Sequence, residues 1–204
     1  MRAIIDNIWT WSIFSEEKGY NFNSYLISDG KKTVLIDPVK QNEEDFNFIK
    51  SKTLHEAIYL TNKDHLRDAH NLKEKLNIPL WIHEEDKQYI ENEVDYTFKD
   101  EDKLACGIKV IHLNDQKSPG ECAFYIPERK VLILGDALIG HPADNLKLLP
   151  KEKYKDINKA KKELEKLISL SFDILLLGDG ESIVEGTKEK VINFMENYLS
   201  VIPK

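Results

Sequence analysis

Apolar residues recur along this chain in two spacings, and the change from one to the other marks out its elements. Ile4, Ile5, Ile8, Trp9, Trp11 and Ile13 form a mixed apolar stretch at the start. Residues 24–28 and 33–37 are then two apolar runs around Asp29-Gly30, a pairing that predicts a hairpin because glycine accepts the positive φ of the turn. Pro38 removes a ladder donor and ends the second strand. Phe46 and Ile49 indicate a short amphipathic helix over 42–52, and 57–60 reads as a buried strand. Leu66, Ala69, Leu72 and Leu76 share one helical face, which predicts a helix from a cap at or near Asp64 to Leu76. Residues 79–82 follow as a strand and 84–91 as a helix. Three strands (108–113, 122–126 and 131–134), a charged helix (156–169), a strand (174–177) and a last helix (188–199) complete the order. The stretch 139–155 holds two prolines and little periodicity, which predicts an irregular loop.

Strands interspersed with helices in this way suit two mixed β-sheets packed face to face with helices on their outer faces, an α/β (α+β) arrangement. The chain has 204 residues, enough for one core, with no internal repeat or glycine- or serine-rich linker. A single domain over residues 1–204 is expected.

Composition narrows the partners. Hydrophobic residues make up 41% and charged residues 32%, mean hydropathy is −0.46, and no apolar run approaches the roughly 20 residues of a membrane span. The opening Met1-Arg2-Ala3-Ile4-Ile5-Asp6 places an acid where a secretory leader needs an apolar stretch, so a cytoplasmic protein without a membrane partner is expected. The net charge of −7 argues against nucleic acid, whose binding rests on phosphate neutralisation. The densest basic stretch, 147–166, also carries Glu152, Asp156, Glu163 and Glu165, and reads as a solvated face. Cys106 and Cys122 show no metal spacing, and both read as reduced core residues.

Four strand ends finish in polar residues that a core does not require: 60–68, Lys117-Ser118-Pro119-Gly120-Glu121, Leu134-Gly135-Asp136 and Leu177-Gly178-Asp179-Gly180. Each alone reads as an ordinary turn, but loops at strand ends are also where sites collect. Their order, together with Asn23-Ser24-Tyr25-Leu26 and Leu35-Ile36-Asp37, resembles the metallo-β-lactamase superfamily, the αββα sandwich that includes glyoxalase II-like hydrolases. The resemblance spans about residues 21–180. It implies that fold, with Leu60-Thr61 before the station of the HxHxDH ligand motif. Ser118-Pro119-Gly120 is similar to the Thr-Pro-Gly turn, Gly135-Asp136 matches the bridging aspartate, and Asp179 stands where the last ligand histidine usually lies.

The ligands themselves depart from the family's pattern. On HxHxDH this chain places Asn62, Asp64, Leu66 and Arg67; Lys117 stands before Ser-Pro-Gly, and only Asp136 is unchanged. A dinuclear zinc site is therefore not expected, since zinc favours imidazole and thiolate. Asp64, Asp136 and Asp179 would suit a hard ion such as magnesium or manganese. Arg67 and Lys117 fall at the same stations, and an ammonium has no lone pair for a metal. An ion-pair network of Asp64, Arg67, Lys117, Asp136 and Asp179 in place of metals, with no cofactor, is the expectation. A single divalent ion (zinc, manganese or iron) on the three aspartates is the alternative.

Among the histidines, His65 could act as general acid or base beside Asp64. His55, His70, His83, His112 and His141 read as surface or structural residues, although His141 could fold back over the pocket. His65 and His70, five apart, would face different ways on one helix. Trp9, Trp11, Tyr20 and Tyr25 could line a groove, with core or edge packing preferred. Ser118 and Ser182 lack a nucleophile elbow, and Gly178 and Gly180 lack a phosphate-loop pattern. The leading reading is a divergent family member whose strand-end pocket of Asn62, Asp64, His65, Arg67, Lys117, Asp136 and Asp179 serves small-molecule binding or metal-independent chemistry. A metal-dependent hydrolase of an ester, thioester or lactone is the alternative. An interaction protein, such as a homodimer, is the third.

Overall fold

The computed structural model describes residues 1–52, 54–90 and 94–199. Seven strands form the first sheet in chain order: β1 (Arg2–Ile5), β2 (Ile8–Ser15), β3 (Tyr20–Ser28), β4 (Thr33–Ile36), β5 (His55–Tyr59), β6 (Leu80–His83) and β7 (Tyr96–Phe98). The first four pair antiparallel, and β4 to β7 run parallel. The second sheet has the order β11 (Ile174–Leu177), β10 (Val131–Leu134), β9 (Cys122–Ile126) and β8 (Lys109–His112), parallel only between β10 and β11. Helices α1 (Glu43–Ser51) and α2 (Ala69–Leu76) belong to the first half of the chain, α3 (Ile157–Ile168) and α4 (Thr187–Leu199) to the second.

Strand alternation sorts the apolar residues into three layers. Tyr25, Ile27, Val34, Ile36, Ala57 and Tyr59 of the first sheet meet Phe124, Ile126, Val131, Ile133 and Leu176 of the second in the central core. Their sequence neighbours Leu26, Leu35 and Ile58 point the other way, into a core shared with Ile49 of α1 and Ala69 and Leu72 of α2. Tyr125, Leu132, Leu134, Leu175 and Leu177 do the same against Leu164 and Leu167 of α3 and Val191 and Met195 of α4. Both faces of β4 and β9 to β11 are largely covered, which is why these strands read as continuous apolar runs. Helix starts follow local chemistry: the Asn42 side chain accepts from the Asp45 amide, and that of Asp156 from the Asn158 and Lys159 amides.

Three expectations need correction. The helix over 64–76 is broken: a 3₁₀ turn, Lys63–His65, is capped by Asn62, and α2 starts only at Ala69, after Arg67 at φ 41°. Asp64 caps nothing, and His65 and His70 do not share a helix. The helix over 84–91 is a turn followed by one 3₁₀ turn, Lys87–Tyr89; its end at Glu91 lies outside the described residues. After it the structure adds an edge strand, β7, that the pattern did not announce. His55 is the first residue of β5 rather than a residue before it. The stretch 139–155 is irregular but tied down, by paired backbone hydrogen bonds between Ile139 and Lys147, both 2.9 Å.

Cys106 and Cys122 are buried free thiols. No helix among the described residues is long and apolar enough to cross a membrane.

At one point the chain after β10 presses backbone to backbone on the chain after β11. The Gly180 conformation, φ +82°, favours glycine, and a Cβ on Gly140 would lie 2.0 Å from the Glu181 carbonyl oxygen. Gly140→Ala is expected to destabilise the protein by about 1–3 kcal/mol through overpacking, read as a lowered urea midpoint at unchanged slope.

Candidate functional site

Parallel pairing brings the carboxyl ends of β4, β5, β10 and β11 to one edge of the sandwich, and each end supplies a polar residue there. Asp37 follows β4 at φ 47°, fully withdrawn from water. Its carboxylate accepts from the Thr61 amide (2.8 Å), the Thr61 hydroxyl (2.6 Å) and His65 Nδ1 (2.8 Å). Those bonds hold the chain after β5 in its 3₁₀ turn and bury the imidazole, which is only 2% exposed. His65 Nε2 then lies 3.5 Å from Asp136 Oδ1, at the end of β10.

Two cations complete the arrangement. Lys117 Nζ lies between Asp136 Oδ2 (2.7 Å) and Asp64 Oδ2 (3.0 Å). Arg67 donates to Asp179 Oδ1 (2.6 Å) and to the Asn23 carbonyl (2.9 Å); its Nη2 is 3.1 Å from His65 Nε2, and its guanidinium covers the Phe22 ring. Asp86 fixes the loop that carries Lys117: it accepts from the Ser118 hydroxyl (2.5 Å), the Gly120 amide (2.8 Å) and the Lys63 amide (2.8 Å). Asp64, His65, Arg67, Lys117, Asp136 and Asp179 thus share one cluster. Asn62 sits behind it as the cap of the turn, its buried Nδ2 without a partner among the described residues.

The charges respond to one another. Burial and the Arg67 guanidinium press the His65 pKa down, but the carboxylates of Asp37 and Asp136 outweigh them and raise it to about 10. The ring therefore keeps its proton across neutral pH and acts as a fixed cation, not as a group poised to give and take a proton near pH 7. Burial alone would raise Asp136, yet His65 and Lys117 hold it well below the usual carboxylate range. Asp64 is likewise lowered, burial being outweighed mainly by Lys117. Asp179 moves the other way, because burial outweighs His65 and Arg67. Lys117 is raised; its burial is overcome by Asp136 and Asp64. Glu121, next to this cluster, is fully buried with both carboxylate oxygens unpartnered among the described residues; burial and then Asp136 push its pKa well above the usual range.

The cluster floors a cleft of about 720 Å³ walled by Tyr20, Phe22, Ile139, Leu148, Leu149 and Pro150. Lys147 and Lys153 stand among the residues that line it. Of the aromatic residues considered for a groove, Tyr20 lines this cleft, and Trp11 lines a separate polar groove with Asn21 and Ser182. Tyr25 is core and donates to the Leu177 carbonyl, while Trp9 packs on Phe48. His141 stands beside Tyr20, ring centroids 5.4 Å apart. His83 and His112 stack on each other away from the cleft, at 4.1 Å. His70 is exposed and His55 half-buried.

Four contributors escaped the sequence reading: Asp37, Glu121, Lys147 and Lys153. Asp37 had one available signal, an acid closing an apolar strand just before a proline. His65, Asp136 and Asp179 can each bring one ligand atom within 4.8 Å of the others, a geometry that a metal ion could use.

A profile of the Metallo-beta-lactamase superfamily matches residues 3–197. A curated relative, the probable metallo-hydrolase YqgX of Bacillus subtilis (strain 168), is 26% identical over 57% of this chain; the match spans 65% of that protein, just under two thirds of its length. Among solved structures, DIM-1 metallo-beta-lactamase superposes with a TM-score of 0.77 at 16% identity, covering 97% of this chain and 96% of that one. A metallo-beta-lactamase from Pontibacter korlensis gives 0.75 at 16% identity, with 96% and 97% covered. TTHA1623 in a di-iron-bound form gives 0.69 at 23% identity, with 89% and 98% covered. At these identities the structural likeness speaks for the fold.

Because folding raises the His65 pKa, its contribution to stability is complete below the unfolded value near 6.5 and is lost as pH climbs through about 10. Between pH 7 and 8 the histidines lowered by folding, His55 and His83, are mostly titrated in the unfolded chain and the buried thiols and tyrosines mostly are not, while Glu121, which burial raises, adds to a fall of the same sign. Urea midpoints are therefore expected to fall across that window in the wild type. In His65→Gln the slope with pH flattens.

Proposed function

The chain belongs to the metallo-β-lactamase superfamily, and we propose that within it this protein is a member whose strand-end pocket works with ion pairs in the place of metals. The observation that carries this reading is Lys117 Nζ, seated between Asp136 and Asp64 at 2.7 and 3.0 Å. A divalent ion on Asp136 would meet that ammonium at contact distance, and one on Asp179 would compete with Arg67 at 2.6 Å. The three cations His65, Arg67 and Lys117 already face the four carboxylates of Asp37, Asp64, Asp136 and Asp179. Most of the charge that a metal would otherwise neutralise is offset by the chain itself. The pocket then binds a small molecule, with Lys117 and Arg67 as fixed donors toward any negative charge on it.

A second reading is favoured by the closeness of His65, Asp136 and Asp179 and by the name of the Bacillus relative. In it, these three residues, with Asp64 beside them, hold one divalent ion once Lys117 and Arg67 have swung away. Such an ion would polarise the carbonyl of an ester, thioester or lactone and lower the pKa of a water.

Metal analysis by plasma mass spectrometry, on untagged protein purified without chelator, separates the two. The ion-pair reading expects no metal above background and one melting temperature with and without EDTA. Near-stoichiometric zinc, manganese or iron that disappears in Asp136→Ala would overturn it. Lys117→Met removes the partner of a carboxylate only 6% exposed. It should cost about 2 kcal/mol, less than the roughly 3–5 kcal/mol of a fully buried pair because the lysine keeps 28% of its surface in water. On this reading the variant also acquires a thermal stabilisation by added divalent ions that the wild type lacks.

A further inference from the structure

Two buried histidines stand behind the loop that carries Lys117, one from each sheet. His83 ends β6 and His112 ends β8, and their rings stack 4.1 Å apart, tilted by 22°. Both grip the loop before β9. His112 Nε2 donates to the Pro119 carbonyl at 2.8 Å. His83 acts through Asp86: its carbonyl accepts from the Asp86 amide at 3.0 Å, and the Asp86 carboxylate takes the Ser118 hydroxyl and the Gly120 amide. Residues 118–120 are thus held between a strand end of the first sheet and a strand end of the second.

The His83 ring sits in a place shaped for its neutral form. Its Nδ1 accepts from the Glu85 amide at 3.4 Å, which puts the ring proton on Nε2, buried without a partner among the described residues. A second proton would set an N–H against that amide and a cation against the His112 ring. Several charged groups face the pair. Glu85 and Asp86 lie on the turn after β6, and Asp100 accepts from the His112 amide at 2.8 Å. Lys166 of α3, paired with Glu163, donates to the His112 carbonyl at 3.4 Å. Cys122 stands opposite His112 on β9, and the uncharged Phe98 ring of β7 meets His83 edge-on at 6.1 Å. Burial and then His112 outweigh Glu85, Asp86 and Asp100, and bring the His83 pKa down to about 4.

We propose that His83 is a proton switch on the Lys117 loop: a second proton on its ring parts it from His112, frees residues 118–120 from their two-sided grip and unseats Lys117 from Asp136 and Asp64. The inference concerns the regulation of the pocket proposed above and rests on that reading. The closed loop holds the neutral ring, so acid favours opening. A ring freed by opening returns to the ordinary value near 6.5, so closure is fully favoured above that pH and loses ground as pH falls toward 4.

The test is amide hydrogen exchange of the full, EDTA-treated chain at pH 7 and pH 5, corrected for the intrinsic pH dependence of exchange and read by NMR. Protection of the Gly120 amide is expected to fall about tenfold or more across that span. The Leu175 and Ile183 amides, bonded reciprocally at the far edge of the second sheet, keep theirs. Carbon-13 relaxation dispersion at the Lys117 side chain shows a minor state that grows in step with the loss at Gly120. In His83→Asn, which keeps an acceptor for the Glu85 amide but takes no proton, Gly120 is protected at pH 7 and the fall at pH 5 disappears. His83→Phe, which keeps a stacked ring, is the second variant should the first not fold. Unchanged Gly120 protection, a fall shared by Leu175 and Ile183, a fall that survives both substitutions, or a Lys117 side chain without a minor state would each overturn the switch. Stoichiometric metal in protein that has not met EDTA overturns the ion-pair reading instead, whatever Gly120 does.

Discussion

A carboxylate buried at the end of a strand must be matched by positive charge, and the strand-end edge of this protein is organised around how Asp136 is matched. Lys117 reaches it from the loop before β9 and His65 from the turn after β5, so the partners come from both sheets. Each partner needs its own support. The imidazole is held by Asp37, and the lysine loop by Asp86. The result is a chain of dependence in which acids behind the cluster orient the cations that neutralise the acids within it. Removing one member leaves its buried neighbour short of counter-charge, a costly state where little water can take the partner's place.

Much of the fold could be read from the chain because both faces of most strands are covered. Runs such as Val131 to Leu134 or Ile174 to Leu177 have no other good use than a buried strand, and the strand ends announced themselves by abrupt polarity. The helix break at Leu66 to Asp68 could not be read in the same way. Leu66, Ala69, Leu72 and Leu76 keep a helical spacing. What interrupts the helix is the pull of Asp86 on the Lys63 amide and the positive φ of Arg67, and both come from tertiary contacts. Strand β7 is three residues at an edge, too short to leave a pattern. At the site, the residues at motif stations were visible because ordered loops carry them. Asp37 lay hidden as the last letter of a strand, and Lys147 and Lys153 were lost in a stretch whose mixed charge read as solvated surface.

Glu121 departs from the logic of the cluster. It is as buried as Asp37 but lacks the three donors that Asp37 has. Its carboxyl lies beside Gly135, where a Cβ would come within 2.8 Å of it and within 2.3 Å of the Thr61 hydroxyl. Burial, followed by the Asp136 charge, favours its neutral form. Two buried acids at the ends of neighbouring strands are thus shifted in opposite directions. Asp136 has cations and Glu121 has none.

The seam between the sheets runs along this same edge. The Asn23 amide donates to the Gly178 carbonyl, the Gly180 amide to the Asn21 carbonyl, and the Cys122 amide to the Thr61 carbonyl, while the Asn23 side chain bonds the Leu177 and Gly180 carbonyls. The edge that carries the charges is therefore also the line along which the two halves are stitched. Arg129 ties the opposite edge, donating to the Ser28 carbonyl at 2.5 Å, so a change in the cluster bears on the joint between the sheets as well as on the pocket.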